Sequence, residues 1–148
     1  MTTFSTSFTS RYGDPAIEYR GAHLWVHRRH SATVVTITGR IDGANVSDVT
    51  RYAIHPITAD TPVILDLNGV TSFADTAVPL LSAVDERCRE VGTEWALVAG
   101  DAVSARLKGR DGDLALPVVG TVAGAEHEFD DAVLKRRRLL LPLLSKTA

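Results

Sequence analysis

The fold is decided by the stretch Val63-Ile-Leu-Asp-Leu-Asn-Gly-Val70 and by the segment that follows it. Its first five residues form a short apolar run between Pro62 and the pair Asn68-Gly69, which is typical of a buried strand. Apolar residues then recur at helical spacing, with charged residues between them. The apolar positions are Ala77, Leu81, Val84, Cys88 and Val91. This pattern predicts an amphipathic helix that ends at Gly92, with Pro79 in its first turn.

Strand and helix patterns also alternate on both sides of this unit. Upstream we predict a strand at Val34–Thr38, a hairpin partner at Ala22–His27, a turn at Gly39, and a helix at Ala44–His55 with Asp42 as N-cap. Downstream we predict strands at Trp95–Ala99 and Leu116–Val119, and helices at Ala102–Leu107 and Gly124–Leu134. The alternation indicates an α/β fold with a mixed, mostly parallel sheet of four to five strands and about four helices.

The composition is that of one globular domain. The chain has 148 residues, of which 45% are hydrophobic and 23% charged, and a net charge of −2. We predict a flexible, Ser- and Thr-rich tail over residues 1–20, a domain over 21–136, and a Leu-rich tail over 137–148. The charge gives no basic field for nucleic acid, and no apolar run is long enough to span a membrane. The single cysteine, Cys88, and the lack of a secretory signal favour the cytoplasm.

Patterns typical of enzymes are not found in the sequence. Gly39-Arg-Ile-Asp-Gly43 has the wrong spacing for a phosphate loop. His23 and His27, four residues apart on a predicted strand, are too far apart to bind one metal ion. Cys88 falls on the apolar stripe of its helix, which favours packing over reactivity. We therefore expect no enzymatic activity, no catalytic residue, no metal and no cofactor.

Two motifs together carry a resemblance to a known family. The first is Val34-Val-Thr-Ile-Thr-Gly-Arg-Ile-Asp42, and the second is Val63–Val70 followed by Asp75-Thr76 and the amphipathic helix. The chain resembles the STAS domain of bacterial anti-sigma-factor antagonists from about Ala32 to Ala132. That family has a strand ending in Gly-x-Leu-Asp, and a later strand of the type Leu-Asp-Leu-Ser-Gly-Val before an Asp-Ser-Ser-Gly loop.

The resemblance implies a partner-switching regulator of transcription. Its partner would be an anti-sigma factor of the serine/threonine kinase-like ATPase type, which phosphorylates a Ser or Thr in the loop before the helix. The partner-binding residues implied in this way are Asp42, Ser72, Asp75 and Thr76. A phosphate there would add about −1.5 to −2 charges to a docking surface.

The loop before the helix departs from the family pattern, because Ala77 and Val78 stand where the family has small residues and a Gly. Two registers are open. In one, Thr76 is the phosphate acceptor, and one extra residue is absorbed between Val70 and Phe73. In the other, Asp75 occupies the acceptor position and imitates phosphate permanently. Structural roles are also open, because Thr76 could be the N-cap of the helix and Asp42 the N-cap of the preceding one.

Other functions and surfaces stay open at this point. The chain could be a STAS structural or sensing subunit that is never phosphorylated or, in another class, a small nucleotide-binding protein or enzyme. We expect the basic run Lys135–Arg138 to be solvated. We expect the apolar run Leu139–Leu144 to pack on the sheet. A homodimer contact and a membrane-surface contact are the alternatives for this segment.

Overall fold

The computed structural model describes residues 8–9, 15–108 and 116–146, with side chains described over 16–108 and 116–135. Its strands are β1 (Phe8–Thr9), β2 (Pro15–Tyr19), β3 (Ala22–Arg28), β4 (Thr33–Ile41), β5 (Val63–Asp66), β6 (Val70–Phe73), β7 (Trp95–Val98) and β8 (Val118–Val119). Its helices are α1 (Val46–Ile54), α2 (Pro79–Val91), α3 (Gly100–Leu107) and α4 (Val122–Lys146), with a 3₁₀ turn at Asp75–Ala77.

The strands form one mixed sheet in the order β1-β2-β3-β4-β5-β7-β8, and β6 also pairs with β4. The three pairings from β1 to β4 are antiparallel, and the four that involve β5 to β8 are parallel. The α/β class, the mostly parallel sheet and the four helices are therefore confirmed. The sheet has eight strands where four to five were expected, because β1, β2 and β6 were not predicted.

The unpredicted strand β2 lies inside the segment predicted as a flexible tail. Pro15–Tyr19 pairs with β3, and Ala16 is completely buried. The domain therefore begins earlier in the chain than residue 21. Residues 1–7 and 10–14, which make up most of that predicted tail, lie outside the described residues.

The core lies on both faces of the sheet. On one face, α1, α2 and α3 cover a large cluster that includes Val35, Ile37, Leu65 and Leu97. On the other face, Ala125 and Phe129 of α4 pack on a smaller cluster. That cluster contains Ala32, Val34, Ile64, Ala96 and Val98. Successive side chains of β5 point to opposite faces, and both faces are covered, which explains why Val63, Ile64 and Leu65 are all apolar.

The predicted helix after β5 is present in shortened form. A 3₁₀ turn precedes α2, Pro79 lies in the first turn of α2, and Gly92 ends it in a left-handed conformation with φ +78°. Cys88 is buried, and burial together with the charge of Asp85 raises the pKa of its thiol to about 11. The thiol is therefore a packing group at neutral pH, as its position on the apolar stripe predicts.

Helix α4 is longer than predicted. It runs from Val122 to Lys146 and so includes most of the segment predicted as a Leu-rich tail. The side chains of Leu139–Leu144 lie outside the described residues, so the expected packing of this run stays a prediction. Over the described part of the chain, none of the helices is long and apolar enough to span a membrane.

Gly39 does not form the predicted turn. It lies within β4 with φ +90°, at the irregularity where the strand changes its pairing partner from β5 to β6. A Cβ at this position would lie 2.2 Å from the carbonyl oxygen of Gly21. The backbone of the β2–β3 turn therefore approaches Gly39 more closely than any side chain would allow.

Replacing Gly39 with Ala is expected to destabilise the protein by about 2–3 kcal/mol, because strain at positive φ adds to the clash with Gly21. Gly92→Ala is the matched control, since Gly92 also has positive φ but a Cβ there meets nothing within 4 Å. This control should cost only about 1 kcal/mol. Urea unfolding of the two variants measures the difference, and equal losses would contradict the importance of the close approach.

Candidate functional site: the loops after strands β4 and β6

Two loops that carry the predicted site residues meet at the carboxyl ends of strands β4 and β6. Strands β4 and β6 run parallel, with Ile41 opposite Phe73. The amide of Ala74 donates a hydrogen bond to the carbonyl oxygen of Ile41 over 3.1 Å. The β4–α1 loop and the turn before α2 therefore leave the sheet side by side. Loops at the carboxyl ends of parallel strands are the usual place for binding sites in such sheets.

Thr76 lies directly against the β4–α1 loop. Its side chain is exposed, and a Cβ on Gly43 would lie 3.4 Å from its Oγ1 atom. No described residue forms a hydrogen bond with this hydroxyl group. The turn therefore packs on the loop while Thr76 as a whole stays exposed.

Asp42 stabilises the β4–α1 loop but does not cap helix α1. Its Oδ1 accepts a hydrogen bond from the Ala44 amide over 2.9 Å, and its Oδ2 forms an ion pair with Arg40 Nε over 3.2 Å. The N-cap position of α1 belongs to Asn45, three residues later. The predicted N-cap role of Asp42 is therefore wrong, since its side chain closes the turn that precedes the helix.

Asn45 holds the β4–α1 loop on the sheet, and the sequence analysis missed it. Its side chain is 1% exposed, and its Nδ2 donates to the carbonyl oxygens of Arg40 at 2.8 Å and Tyr19 at 3.0 Å. Its Oδ1 accepts from the Asp42 amide at 3.0 Å. One buried amide thus connects the β2–β3 turn, the end of β4 and the start of α1. The available signal was an Asn just before a helical pattern, which indicates a cap and not these contacts.

Thr76 is not the N-cap of the amphipathic helix either. It lies inside the 3₁₀ turn, whereas α2 starts at Pro79 with Val78 at the N-cap position and no capping side chain. Ala77 and Val78 are buried, so the two residues that depart from the expected loop pattern face the core. The outer surface of the turn is formed by Asp75 and Thr76.

Arg106 of α3 holds the same turn from its other side. Its Nε donates to the carbonyl oxygen of Phe73 over 3.0 Å, and its Nη1 forms an ion pair with Asp75 Oδ1 over 3.3 Å. The sequence analysis also missed this residue. No local pattern indicates it, because its contacts lie more than thirty positions earlier in the chain.

Ser72 completes the predicted set on strand β6. It is exposed and lies opposite Arg40 of β4 in the parallel register. Asp42, Ser72, Asp75 and Thr76 therefore all lie on the paired strand ends or in the loops that follow them. In the part of the chain with described side chains, no group of His, Cys, Asp and Glu residues could hold a metal ion. The same region carries the hydroxyl groups of Ser72 and Thr76 and two arginine–aspartate ion pairs, Arg40–Asp42 and Arg106–Asp75.

Comparisons with known proteins agree with this architecture. The model of the STAS domain family matches residues 24–122. Osmosensory protein A of Mycobacterium tuberculosis is 39% identical over 146 residues, which cover 96% of this chain and 92% of that protein. The anti-sigma-F factor antagonist RsfA of the same species is 33% identical over 85 residues, or 55% of this chain and 66% of that protein.

A solved structure supports the fold independently. The crystal structure of an anti-sigma factor antagonist from Mycobacterium paratuberculosis superposes with a TM-score of 0.63 and 19% identity. The match covers 83% of this chain and 99% of that one. At this level of identity the likeness concerns the fold.

The buried amide of Asn45 leads to a prediction about the loop. Asn45→Ala is expected to destabilise the protein by about 2–3 kcal/mol, because the part-buried carbonyl groups of Tyr19 and Arg40 lose their donor and the Asp42 amide loses its acceptor. Asn68→Ala is the control, since Asn68 is exposed, and its cost should stay within about 0.5 kcal/mol. Chemical unfolding measures both values. A small loss of unfolding free energy in Asn45→Ala would show that water replaces the hydrogen bonds of the Asn45 side-chain amide.

Proposed function

Because the chain belongs to the STAS domain family, we propose that it is an anti-sigma-factor antagonist, a module that acts by binding an anti-sigma factor. The observation that carries this proposal is the approach of Thr76 to Gly43, so close that a Cβ on Gly43 would lie 3.4 Å from the Thr76 Oγ1 atom. With the hydrogen bond from the Ala74 amide to the Ile41 carbonyl oxygen, this approach places the two loops on which the family resemblance rests side by side. Asp42 and Ser72 lie at the same strand ends and extend the surface that the two loops form.

We further propose that the partner is an anti-sigma factor of the serine/threonine kinase-like ATPase type and that it phosphorylates Thr76. An exposed threonine in a short turn is accessible to a kinase. Phosphate would add about −1.5 to −2 charges beside the carboxylates of Asp42 and Asp75. A negative charge that accumulates in the centre of a docking surface disfavours a partner that fits the unmodified surface. The modified protein would then release the anti-sigma factor.

The cellular setting that follows from this proposal is the cytoplasm, where sigma factors act. The chain would regulate transcription indirectly, by competing with a sigma factor for the anti-sigma factor. The buried thiol of Cys88 is compatible with a reducing compartment.

A second candidate function is that of a sensing subunit in a larger signalling complex, without phosphorylation. The observation that favours it is the relative at 39% identity over nearly the whole chain, whose name describes an osmosensory protein. The same docking surface would then make a permanent contact. The two functions differ in whether Thr76 is modified.

Binding to the anti-sigma factor should depend on charge at Thr76. Thr76→Glu is expected to weaken binding to the kinase-type anti-sigma factor at least about tenfold, whereas Thr76→Val keeps the shape and should retain affinity. Thr58→Glu is the matched control, since Thr58 is exposed and lies before the amino end of β5. Calorimetry with purified partners encoded in the same genome measures the affinities. Equal losses in the two glutamate variants would contradict the proposed surface.

The proposed phosphorylation of Thr76 can be tested separately from binding. Incubation with the kinase-type anti-sigma factor and ATP should place one phosphate on Thr76, and Thr76→Val should abolish it. Mass spectrometry of the digested protein locates the group. If binding is present but no phosphate appears, the sensing-subunit function is favoured. A phosphate on another residue would contradict the assignment of Thr76 as the acceptor.

A further inference from the structure

We propose that Arg106 is a positioning residue for the docking surface and that Asp75 is its anchor rather than a permanent imitation of phosphate. This inference rests on the proposed function, because it concerns how the turn around Thr76 is presented to the partner. This assignment favours the register in which Thr76 is the phosphate acceptor over the register in which Asp75 imitates phosphate. In this assignment Thr76 is the group that faces the partner.

The two contacts of Arg106 enclose the start of the turn. One joins the guanidinium group to the carbonyl oxygen of Phe73 at 3.0 Å, and the other joins it to the Asp75 carboxylate at 3.3 Å. Ala74 lies between these two contact points. A single rigid guanidinium group therefore fixes both the end of β6 and the first residue of the 3₁₀ turn.

Helix α3 is itself anchored at its other end. Gly100 begins the helix with φ +71°, and a Cβ there would lie 2.8 Å from the Cα atom of Asn68. The helix thus lies tightly against the loop before β6 at its start and holds the loop after β6 through Arg106. Both ends of β6 are fixed by one helix, which makes Arg106 a fixed support for the turn.

The two polar residues of the turn lie against different parts of the protein. Asp75 faces Arg106, whereas Thr76 lies beside Gly43 and is exposed. An anchored carboxylate has its charge partly neutralised and its direction fixed by the guanidinium group. A phosphate mimic needs the opposite, an uncompensated charge directed at the partner.

The ion pair itself contributes little to folding. The side chains of Arg106 and Asp75 are 42% and 67% exposed, and exposed ion pairs add little to stability. Loss of the pair should therefore change the position and mobility of the turn while the fold persists. This separates a positioning role from a structural one.

The two assignments of Asp75 predict opposite changes in affinity. If Asp75 is an anchor, Asp75→Asn and Arg106→Ala each weaken binding to the anti-sigma factor about five- to tenfold, and the double variant is no weaker than either single variant. If Asp75 imitates phosphate, Asp75→Asn strengthens binding, which would overturn the proposal. Arg106→Lys keeps the charge but reaches only one of the two contacts, so its affinity should fall between wild type and Arg106→Ala.

Arg89→Ala is the matched control, because Arg89 is an exposed arginine of α2 paired with Asp85. Its affinity should stay within about twofold of wild type. If Thr76→Glu weakens binding but the Asp75 and Arg106 variants do not, the proposed function stands and the anchor is wrong.

Hydrogen exchange tests the anchor without any partner. The amides of Ala77 and Val78, which bond to the carbonyls of Ala74 and Asp75, should exchange about three- to tenfold faster in Asp75→Asn and in Arg106→Ala. Arg89→Ala should leave them unchanged. If wild type binds no candidate anti-sigma factor, the proposed function fails, and this measurement still decides the anchor. Unchanged exchange in both variants would overturn it.

Discussion

The close approach of Gly39 to the carbonyl oxygen of Gly21 is the constraint on which the site depends. It allows the β2–β3 turn to pack on β4 at the point where β4 changes its pairing partner from β5 to β6. That change brings Ile41 opposite Phe73, so the loops that follow the two strands leave the sheet together. A residue with a side chain at position 39 would separate the turn from the strand and disturb this register.

The two loops are held by contacts that differ in burial. The β4–α1 loop depends on the buried amide of Asn45, whose hydrogen bonds are shielded from water and costly to lose. The turn before α2 depends on the half-exposed guanidinium group of Arg106, whose contacts contribute less to folding. Loss of the Asn45 contacts therefore costs the fold more free energy than loss of the Arg106 contacts. Thr76 lies where the two loops meet.

The sequence predicts those parts of the fold that local periodicity specifies. The apolar run at Val63–Leu67 and the stripe of α2 are local patterns, and both elements are present where they were expected. Predicting the site residues would also require contacts between residues that are distant in the sequence. The sequence named Asp42 and Thr76, and the structure brings their loops together, but their binding roles stay predictions. Arg106 could not be found, because its partner Phe73 lies 33 positions away in the chain. The contact of Asn45 with Tyr19 spans 26 positions, so local patterns indicate Asn45 only as a helix cap. The strand β6 was missed for a related reason, since Thr71 and Ser72 are exposed and only Val70 and Phe73 face the core.

The departure of the turn from the family pattern has a simple physical interpretation. Ala77 and Val78 are 0% and 6% exposed, so they change the packing beneath the turn and leave its outer surface to Asp75 and Thr76. A glycine in that place would supply backbone freedom, whereas the two apolar side chains supply contacts with the core and stiffen the turn. A stiffer turn presents Thr76 in one orientation and loses less entropy when a partner binds. The substitution that weakens the sequence resemblance is thus compatible with a docking surface and favours one that is preorganised.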